Sequence, residues 1–143
     1  MNERSTAPRK AAIYLRISQD REMDGLAIER QREDCENLAR FRRWEGVETY
    51  VDQSKSATDR TAIRPDYDRM VADYQLGRFD AIICYDLDRL TRQPRQLEDW
   101  IDAAELRGLA LVTANGDADL STDGGRMYAR IKAAVARAEM ERK

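Results

Sequence analysis

Two short segments carry arginine side chains, one of them beside a serine, in a pattern that suits the binding of a phosphate. The first is Tyr14-x-Arg16-x-Ser18, at the end of an apolar run rich in branched residues. The second spans residues 86–92 and carries two arginines three positions apart. Arginine binds phosphate oxygens through two parallel N–H bonds. An arginine inside a central strand needs a partner, so Arg16 predicts either a bound anion or a structural carboxylate.

The second segment, together with Arg64, extends this candidate group. Arg89 and Arg92 would share one face if residues 86–92 form a helical turn, and Asp88 could orient them. Arg64 precedes Pro65, which forces an extended backbone at the arginine. The alternative is a solvated cluster of surface ion pairs, which is common in proteins.

The composition removes several kinds of catalysis. The chain has no histidine, which excludes Ser-His-Asp and Cys-His sites and metal sites with histidine ligands. We therefore expect neither a metal nor another cofactor. Of the 25 basic residues four are lysine, so 21 are arginine. A phosphate-binding function would favour this excess of arginine, but a GC-rich genome produces the same excess without any function. With a net charge of −2, contact with DNA must come from a local basic cluster or from a part of the protein outside this chain.

The polar first residues and the cysteines indicate the compartment. No apolar run approaches the length of a membrane span, and residues 1–9 lack the apolar stretch of a signal peptide. Cys35 and Cys84 lie far apart and without metal-ligand spacing, so we expect buried, reduced thiols. These features predict a cytoplasmic protein.

Apolar runs alternate with helical patterns along the chain, which predicts an α/β domain with a mostly parallel sheet of four to five strands flanked by helices. The predicted strands are 11–17, 47–51, 79–85 and 109–114, and the predicted helices are 26–44, 65–76, 94–107 and one that begins at about 122. Ligands of open α/β sheets bind beyond the carboxyl ends of the strands. That rule selects Arg16 and Ser18 after the first strand and Asp88, Arg89 and Arg92 after the third.

The organisation we expect is a flexible tail over residues 1–10, an α/β core over 11–121 and the start of a long helix over 122–143. Met127, Ile131, Val135 and Ala138 recur at helical spacing on that last helix. We expect part of this stripe to cover the sheet and the distal part to remain free. The helix has no stop signal at its end, so we expect a fragment of a longer protein.

Taken together, the motifs resemble the catalytic domain of the serine recombinases, the family of resolvases and invertases. The segments that carry the resemblance are Tyr14-x-Arg16-x-Ser18, Glu29-Arg30-Gln31, Arg64-Pro65, Asp88-Arg89-Leu90-Thr91-Arg92 and the run from Ala133 to Glu139. The spacing from Ser18 to Gln31 is longer than in small resolvases and looks more like the large serine integrases. The alanine at position 57, where the family often has glycine, departs from the pattern.

The resemblance implies a resolvase-like fold and a site-specific recombinase that needs no cofactor. In the family, the serine that matches Ser18 attacks a DNA phosphate, forms a 5′-phosphoserine bond and frees a 3′ hydroxyl. The resemblance assigns phosphate binding to Arg16, Arg64, Arg89 and Arg92, and Tyr14 and Gln31 support them. Asp88 is the nearby carboxylate that could accept the serine proton. The implied partners are double-stranded DNA and further copies of the chain, as a homodimer or tetramer of the full-length protein. The resemblance also implies that this chain lacks the DNA-binding domains of the family.

Two other functions remain as alternatives. One is a non-catalytic α/β module, such as a receiver-like or nucleotide-sensing domain, in which Ser18 is incidental. A receiver needs clustered acids after its first strand to hold Mg²⁺, and Arg16 and Ser18 occupy that place. The other is a structural DNA-binding module, which the net charge and the lack of a recognition-helix motif disfavour.

Overall fold

The computed structural model describes residues 8–18, 24–54, 64–91 and 93–142, excepting the side chains of 18, 24–27 and 54. Its strands are β1 Lys10–Ser18, β2 Glu45–Ser54, β3 Ala81–Cys84 and β4 Ala110–Thr113. Its helices are α1 Asp24–Phe41, α2 Pro65–Gln75, α3 Leu87–Leu90, α4 Pro94–Arg107 and α5 Asp123–Glu141. The strands form one parallel sheet in the order β2-β1-β3-β4. The predicted α/β class is confirmed, with four strands in the described residues.

Strand β1 lies inside the sheet and is buried on both faces, which explains its continuous apolar run. Its residues alternate between two cores, as the period of a strand requires. Ile13 and Leu15 pack with α1 through Cys35, whereas Tyr14 packs on the opposite face with α2 and α4. The predicted assignment of Ile13 and Leu15 to one face and of Tyr14 to the other is confirmed.

Proline and glycine set the helix boundaries where the sequence predicted them. Pro65 and Pro94 stand at the first positions of α2 and α4, where a missing N–H costs nothing. Gly108 ends α4 with φ of 77°, a left-handed conformation that suits glycine. Thr122 caps α5 by accepting a hydrogen bond from the Gly125 amide. These local signals fix where each helix points from the sheet.

Several boundaries and one element differ from the prediction; for example, α1 ends at Phe41 rather than at residue 44. The single-turn helix α3 was not predicted; Asp86 nucleates it by accepting a hydrogen bond from the Arg89 amide at 2.7 Å. Strand β2 continues to Ser54, three residues beyond its predicted end. Strand β1 begins at Lys10, inside the predicted tail of residues 1–10, and Arg9 donates hydrogen bonds to carbonyl groups across the sheet edge; residues 1–7 lie outside the described part.

Helix α5 corrects the expectation about its apolar stripe. Its buried residues are Ala129 and Ala133, which pack against the body of the domain. Met127, Ile131 and Val135 are 63, 57 and 53% exposed, so they do not cover the sheet. The two sets are offset by two residues, about 200° around a helix. The small residues are buried because they let α5 approach α4 closely.

Both cysteines are buried and free in the structure, as predicted. Cys35 faces the α1 core and Cys84 the opposite core. Burial raises the pKa of the Cys35 thiol to about 12, and burial also raises the pKa of Cys84. Neither thiol is poised to react.

Candidate active site

The carboxyl ends of β1, β2 and β3 lie at one edge of the sheet, where the sequence placed the site. Ser18 is the last residue of β1, two positions beyond Arg16, and it is in register with Ser54 of β2. The structure describes the backbone of Ser18, and its side chain lies outside the described part. In the same register Arg16 stands beside Asp52. The strand ends therefore assemble the predicted arginine with a carboxylate from the neighbouring strand.

Arg16 is held by main-chain oxygens of the loop that follows β3. Its Nε donates to the carbonyl of Arg89 at 3.1 Å, and its Nη2 donates to the carbonyl of Asp88. The side chain is half-buried. These two acceptors are neutral carbonyl groups, and they orient the guanidinium. Arg16 thus has backbone partners that the sequence did not predict.

Arg64 lies at the start of α2 and is fixed from three sides. Its Nη2 donates to the Tyr14 hydroxyl at 2.8 Å and to the carbonyl of Leu90 at 2.7 Å. Its guanidinium carbon lies 4.4 Å from the centre of the Tyr67 ring, within the range of a cation–π interaction. Its Nη1 is buried and has no hydrogen-bond partner among the described residues. A buried, unpaired N–H of a cation is costly, which favours an anionic ligand at this point.

Asp52 organises the site and was not predicted from the sequence. It is 4% exposed. It accepts hydrogen bonds from the Tyr14 hydroxyl at 2.7 Å and from the amides of Tyr67 and Asp66 at 2.9 Å. The two amides belong to the first turn of α2, so this carboxylate caps that helix from the adjacent strand. Asp52 thereby fixes the position from which Arg64 enters the site.

The Tyr14 hydroxyl connects the carboxylate of Asp52 with the guanidinium of Arg64. Burial raises the pKa of Tyr14 well above its ordinary value, although the charge of Arg64 works in the opposite direction. The phenol therefore stays neutral and can donate to Asp52 while it accepts from Arg64. The supporting role in catalysis that the resemblance gave to Tyr14 stays a prediction.

Arg89 and Asp88 occupy the turn α3, with partners that differ from the predicted ones. Arg89 is ion-paired with Asp86 and lies over the Tyr85 ring at 5.2 Å. The Asp88 side chain is 76% exposed and forms an ion pair with Lys132 at 3.1 Å. Its carboxylate is therefore not the group that orients Arg89; Asp86 does so.

The predicted helical face shared by Arg89 and Arg92 is wrong. Helix α3 ends at Leu90, and Thr91 is extended with φ of −128° and ψ of 149°. Arg92 itself lies outside the described residues. The chain turns out of the helix because α3 is one turn long and Pro94 soon begins α4.

Gln31 reaches the core from α1 and is 7% exposed. Its Oε1 accepts no hydrogen bond from the described residues. A buried amide oxygen without a donor is unfavourable. Gln31 is therefore suited to accept a hydrogen bond from a group that joins the site.

Comparison with known proteins decides the family. The family model "Resolvase, N terminal domain" matches residues 11–143. The chain belongs to the resolvase family. A Bacillus subtilis (strain 168) protein named "Putative DNA recombinase" is 30% identical over 119 residues, 82% of this chain. The chain spans 23% of the length of that relative.

Solved structures give the same fold for this resolvase domain. The N-terminal catalytic domain of TP901-1 integrase is 27% identical with a TM-score of 0.68, covering 94% of this chain and 99% of that one. A resolvase family site-specific recombinase from Streptococcus pneumoniae is 24% identical with a TM-score of 0.73, over 94% of this chain and 89% of that one. The family resemblance drawn from the motifs is confirmed, including the likeness to an integrase.

The residues of the resolvase domain favour chemistry that uses fixed cations. Among the described residues, no group of three or more acidic or cysteine side chains is arranged to hold a metal ion. In that same part of the chain, no helix is both long and apolar enough to cross a membrane. What the site does present is two arginines, Arg16 and Arg64, oriented by neutral acceptors at the end of the strand that finishes with Ser18. Such preorganised donors suit a phosphate that gains negative charge during reaction.

Proposed function

We propose that this resolvase-family domain is the catalytic part of a site-specific DNA recombinase in which Ser18 attacks a phosphodiester. One observation carries the proposal: Arg16 and Arg64 are both fixed at the carboxyl edge of the sheet, beside the strand that ends at Ser18. A pair of guanidinium groups in this place supports phosphate binding over a surface ion-pair cluster.

The proposed step is a transesterification. The Ser18 oxygen loses its proton and forms a bond to phosphorus, the bond from phosphorus to the 3′ oxygen breaks, and the freed 3′ oxygen takes up a proton to become a hydroxyl. The product is a 5′-phosphoserine link that keeps the energy of the phosphodiester, so the reverse attack by a 3′ hydroxyl can reseal DNA without ATP. Exchange of the DNA ends between these two steps gives recombination.

The arginines would stabilise the negative charge of the five-coordinate phosphorus. Arg64 contributes the unpaired Nη1, and Arg16 contributes a guanidinium aimed by the Asp88 and Arg89 carbonyls. We assign further phosphate contacts to Arg89, which is 40% exposed, and to Arg92. Removing one preorganised donor from such a site typically costs about 3 kcal/mol of transition-state stabilisation.

Asp88 keeps a place in the proposed site through its main chain. Its carbonyl accepts from Arg16, whereas its carboxylate is ion-paired with Lys132. The carboxylate is exposed and engaged by the cation of α5, so this pair argues against Asp88 as acceptor of the Ser18 proton. Gln31 offers a buried oxygen and would orient a hydroxyl rather than remove its proton.

The proposed partners are duplex DNA and further copies of the same chain. The exposed residues Met127, Ile131 and Val135 form one face of α5, 53 to 63% exposed, which is suited to pairing with another subunit. With a net charge of −2, the domain would rely on other parts of the full-length protein for DNA affinity. A DNA substrate supports the predicted cytoplasmic location, and the likeness to TP901-1 integrase favours integration as the role.

The test is the nature of the DNA ends made by the full-length protein on a nicked recombination site. We expect a covalent adduct with the 5′ end blocked by protein and the 3′ end a free hydroxyl, formed equally in excess EDTA. A non-catalytic α/β module would give no adduct. Strict dependence on Mg²⁺, or free 5′ phosphates, would instead indicate a metal-dependent nuclease.

A further inference from the structure

One ion pair connects the long helix α5 with the turn that holds Arg16. Lys132 Nζ lies 3.1 Å from Oδ1 of Asp88 and 3.3 Å from Oδ2. The lysine side chain is 29% exposed and adjoins the buried residue Ala133 in sequence. The same Asp88 presents its carbonyl to Arg16. A side chain of α5 is therefore linked through Asp88 to Arg16, the residue to which we assign phosphate binding.

We propose that Lys132 is a positioning residue, which holds the Asp88–Arg89 turn in place and so fixes Arg16 for the attack on DNA. The inference rests on the proposed function, because it concerns how the same arginine is aimed. The ion pair also makes the geometry of the site depend on the position of α5, because a shift of the helix would move Lys132 and with it the Asp88 side chain.

The local structure explains why the turn needs this tie. Helix α3 has four residues, so it makes few internal hydrogen bonds, and Asp88 points outward with a side chain 76% exposed. Arg16 draws on two carbonyls of this one turn. A small displacement of the turn would move both acceptors together, and small displacements of catalytic groups are costly.

The charges around Asp88 also support a positioning role for Lys132. Asp88 is next to Arg89 in the proposed phosphate-binding site. Its negative carboxylate would repel a phosphate unless a cation neutralised that charge. The hydrogen bond with Asp88 raises the pKa of Lys132 against the effect of burial, which keeps the lysine protonated. Lys132 thus compensates the carboxylate as well as holding it.

Helix α5 offers a matched control. Arg130 lies two residues from Lys132 and pairs with Glu105, a residue of α4 that is remote from the turn. Both variants, Lys132→Met and Arg130→Met, remove one half-exposed ion pair from the same helix. Such pairs are each worth at most about 1 kcal/mol of stability, so general loosening of α5 would affect both equally.

The experiment measures the rate of covalent adduct formation by the full-length protein at saturating DNA, together with the DNA dissociation constant. We expect Lys132→Met to slow adduct formation about tenfold with little change in DNA binding, and Arg130→Met to stay within twofold of wild type. The charge exchange Lys132→Asp with Asp88→Lys should recover much of the rate lost by Lys132→Asp alone.

Three outcomes would overturn the inference: a Lys132→Met rate within twofold of wild type, an equal loss in Arg130→Met, or a charge exchange no faster than Lys132→Asp alone. Ser18→Ala, run in parallel, separates this failure from failure of the proposed function. If Ser18→Ala abolishes the adduct while Lys132→Met does not slow it, the recombinase assignment stands and the positioning role falls.

Discussion

The Tyr14 hydroxyl donates a 2.7 Å hydrogen bond to Asp52, a carboxylate of the neighbouring strand that is 4% exposed. The same carboxylate accepts from two amides at the start of α2, and the same hydroxyl accepts from Arg64. The pair therefore links the sheet, the start of a helix and a guanidinium of the candidate site. Its geometry supports both the stability of the domain and the direction in which Arg64 points.

Replacing Asp52 with asparagine should destabilise the domain by about 2–3 kcal/mol. Both oxygens of Asp52 accept hydrogen bonds, whereas an amide has one oxygen and would turn an N–H group towards a donor. Urea denaturation of the two proteins measures the difference. Asp68→Asn is the control, because Asp68 lies exposed in the same first turn of α2; an equal loss in both variants would contradict the capping role.

Gly125 and Gly124 should respond in opposite ways to alanine. A Cβ at Gly125 would lie 1.9 Å from the carbonyl oxygen of Asp119, whereas one at Gly124 meets no atom within 4 Å. We expect Gly125→Ala to lose about 2–3 kcal/mol through overpacking, and Gly124→Ala to be neutral or to gain up to about 1 kcal/mol from helix propensity. Urea denaturation of both variants measures the difference in stability. Similar midpoints for the two variants would contradict the prediction.

Stability should fall at alkaline pH, in part because of Tyr67. Burial raises the pKa of Tyr67 to about 12, against the effects of Trp100 and Arg64. An unfolded tyrosine ionises near pH 10, so this contribution is complete below about pH 10 and is lost between about pH 10 and 12.

The check is the slope of the unfolding free energy against pH in that window. Tyr67→Phe should have a slope shallower by about 1.4 kcal/mol per pH unit, whatever its stability at neutral pH. Tyr128→Phe is the control, since Tyr128 is 40% exposed. Identical slopes in wild type and Tyr67→Phe would show that the Tyr67 phenol ionises freely in the folded protein.

Lysine should not replace Arg16 or Arg64. It keeps the charge but loses the planar fork, so we expect adduct formation by the full-length protein to slow by about two decades in each variant, or ~3 kcal/mol. Arg69→Lys is the control, because Arg69 lies on α2 but pairs with Glu48 and Asp66. Rates within twofold of wild type for Arg16→Lys and Arg64→Lys would mean that these arginines serve the fold alone.

Much of the fold could be predicted because its signals are local. Branched apolar runs marked the strands, and Pro65, Pro94 and Gly108 marked helix boundaries that the structure confirms. The turn α3 escaped because it is a single turn, although Asp86 three residues before Arg89 was an available capping signal. The apolar stripe on α5 was wrongly expected to cover the sheet, because periodicity identifies a face of a helix but not what packs against it. The residues of α5 that are buried are Ala129 and Ala133.

The site was predicted in part, since the rule for strand ends identifies residue positions but not their partners. It brought Arg16 to the right edge, yet the acceptors of Arg16 are main-chain carbonyls that carry no sequence signature. Asp52 was missed because it follows the predicted strand 47–51 and reads as the start of a polar loop. Continuing the strand by alternation to Ser54 would have placed it beside Arg16.

The most direct test of the central claim is the fate of Ser18. In the full-length protein, Ser18→Ala should abolish the covalent DNA adduct while DNA affinity stays within about twofold, because the variant loses one hydroxyl and no charge. Mass spectrometry of the wild-type adduct should find the nucleotide on the peptide that contains Ser18. An adduct formed at wild-type rate by Ser18→Ala, or a nucleotide attached to another residue, would contradict the account.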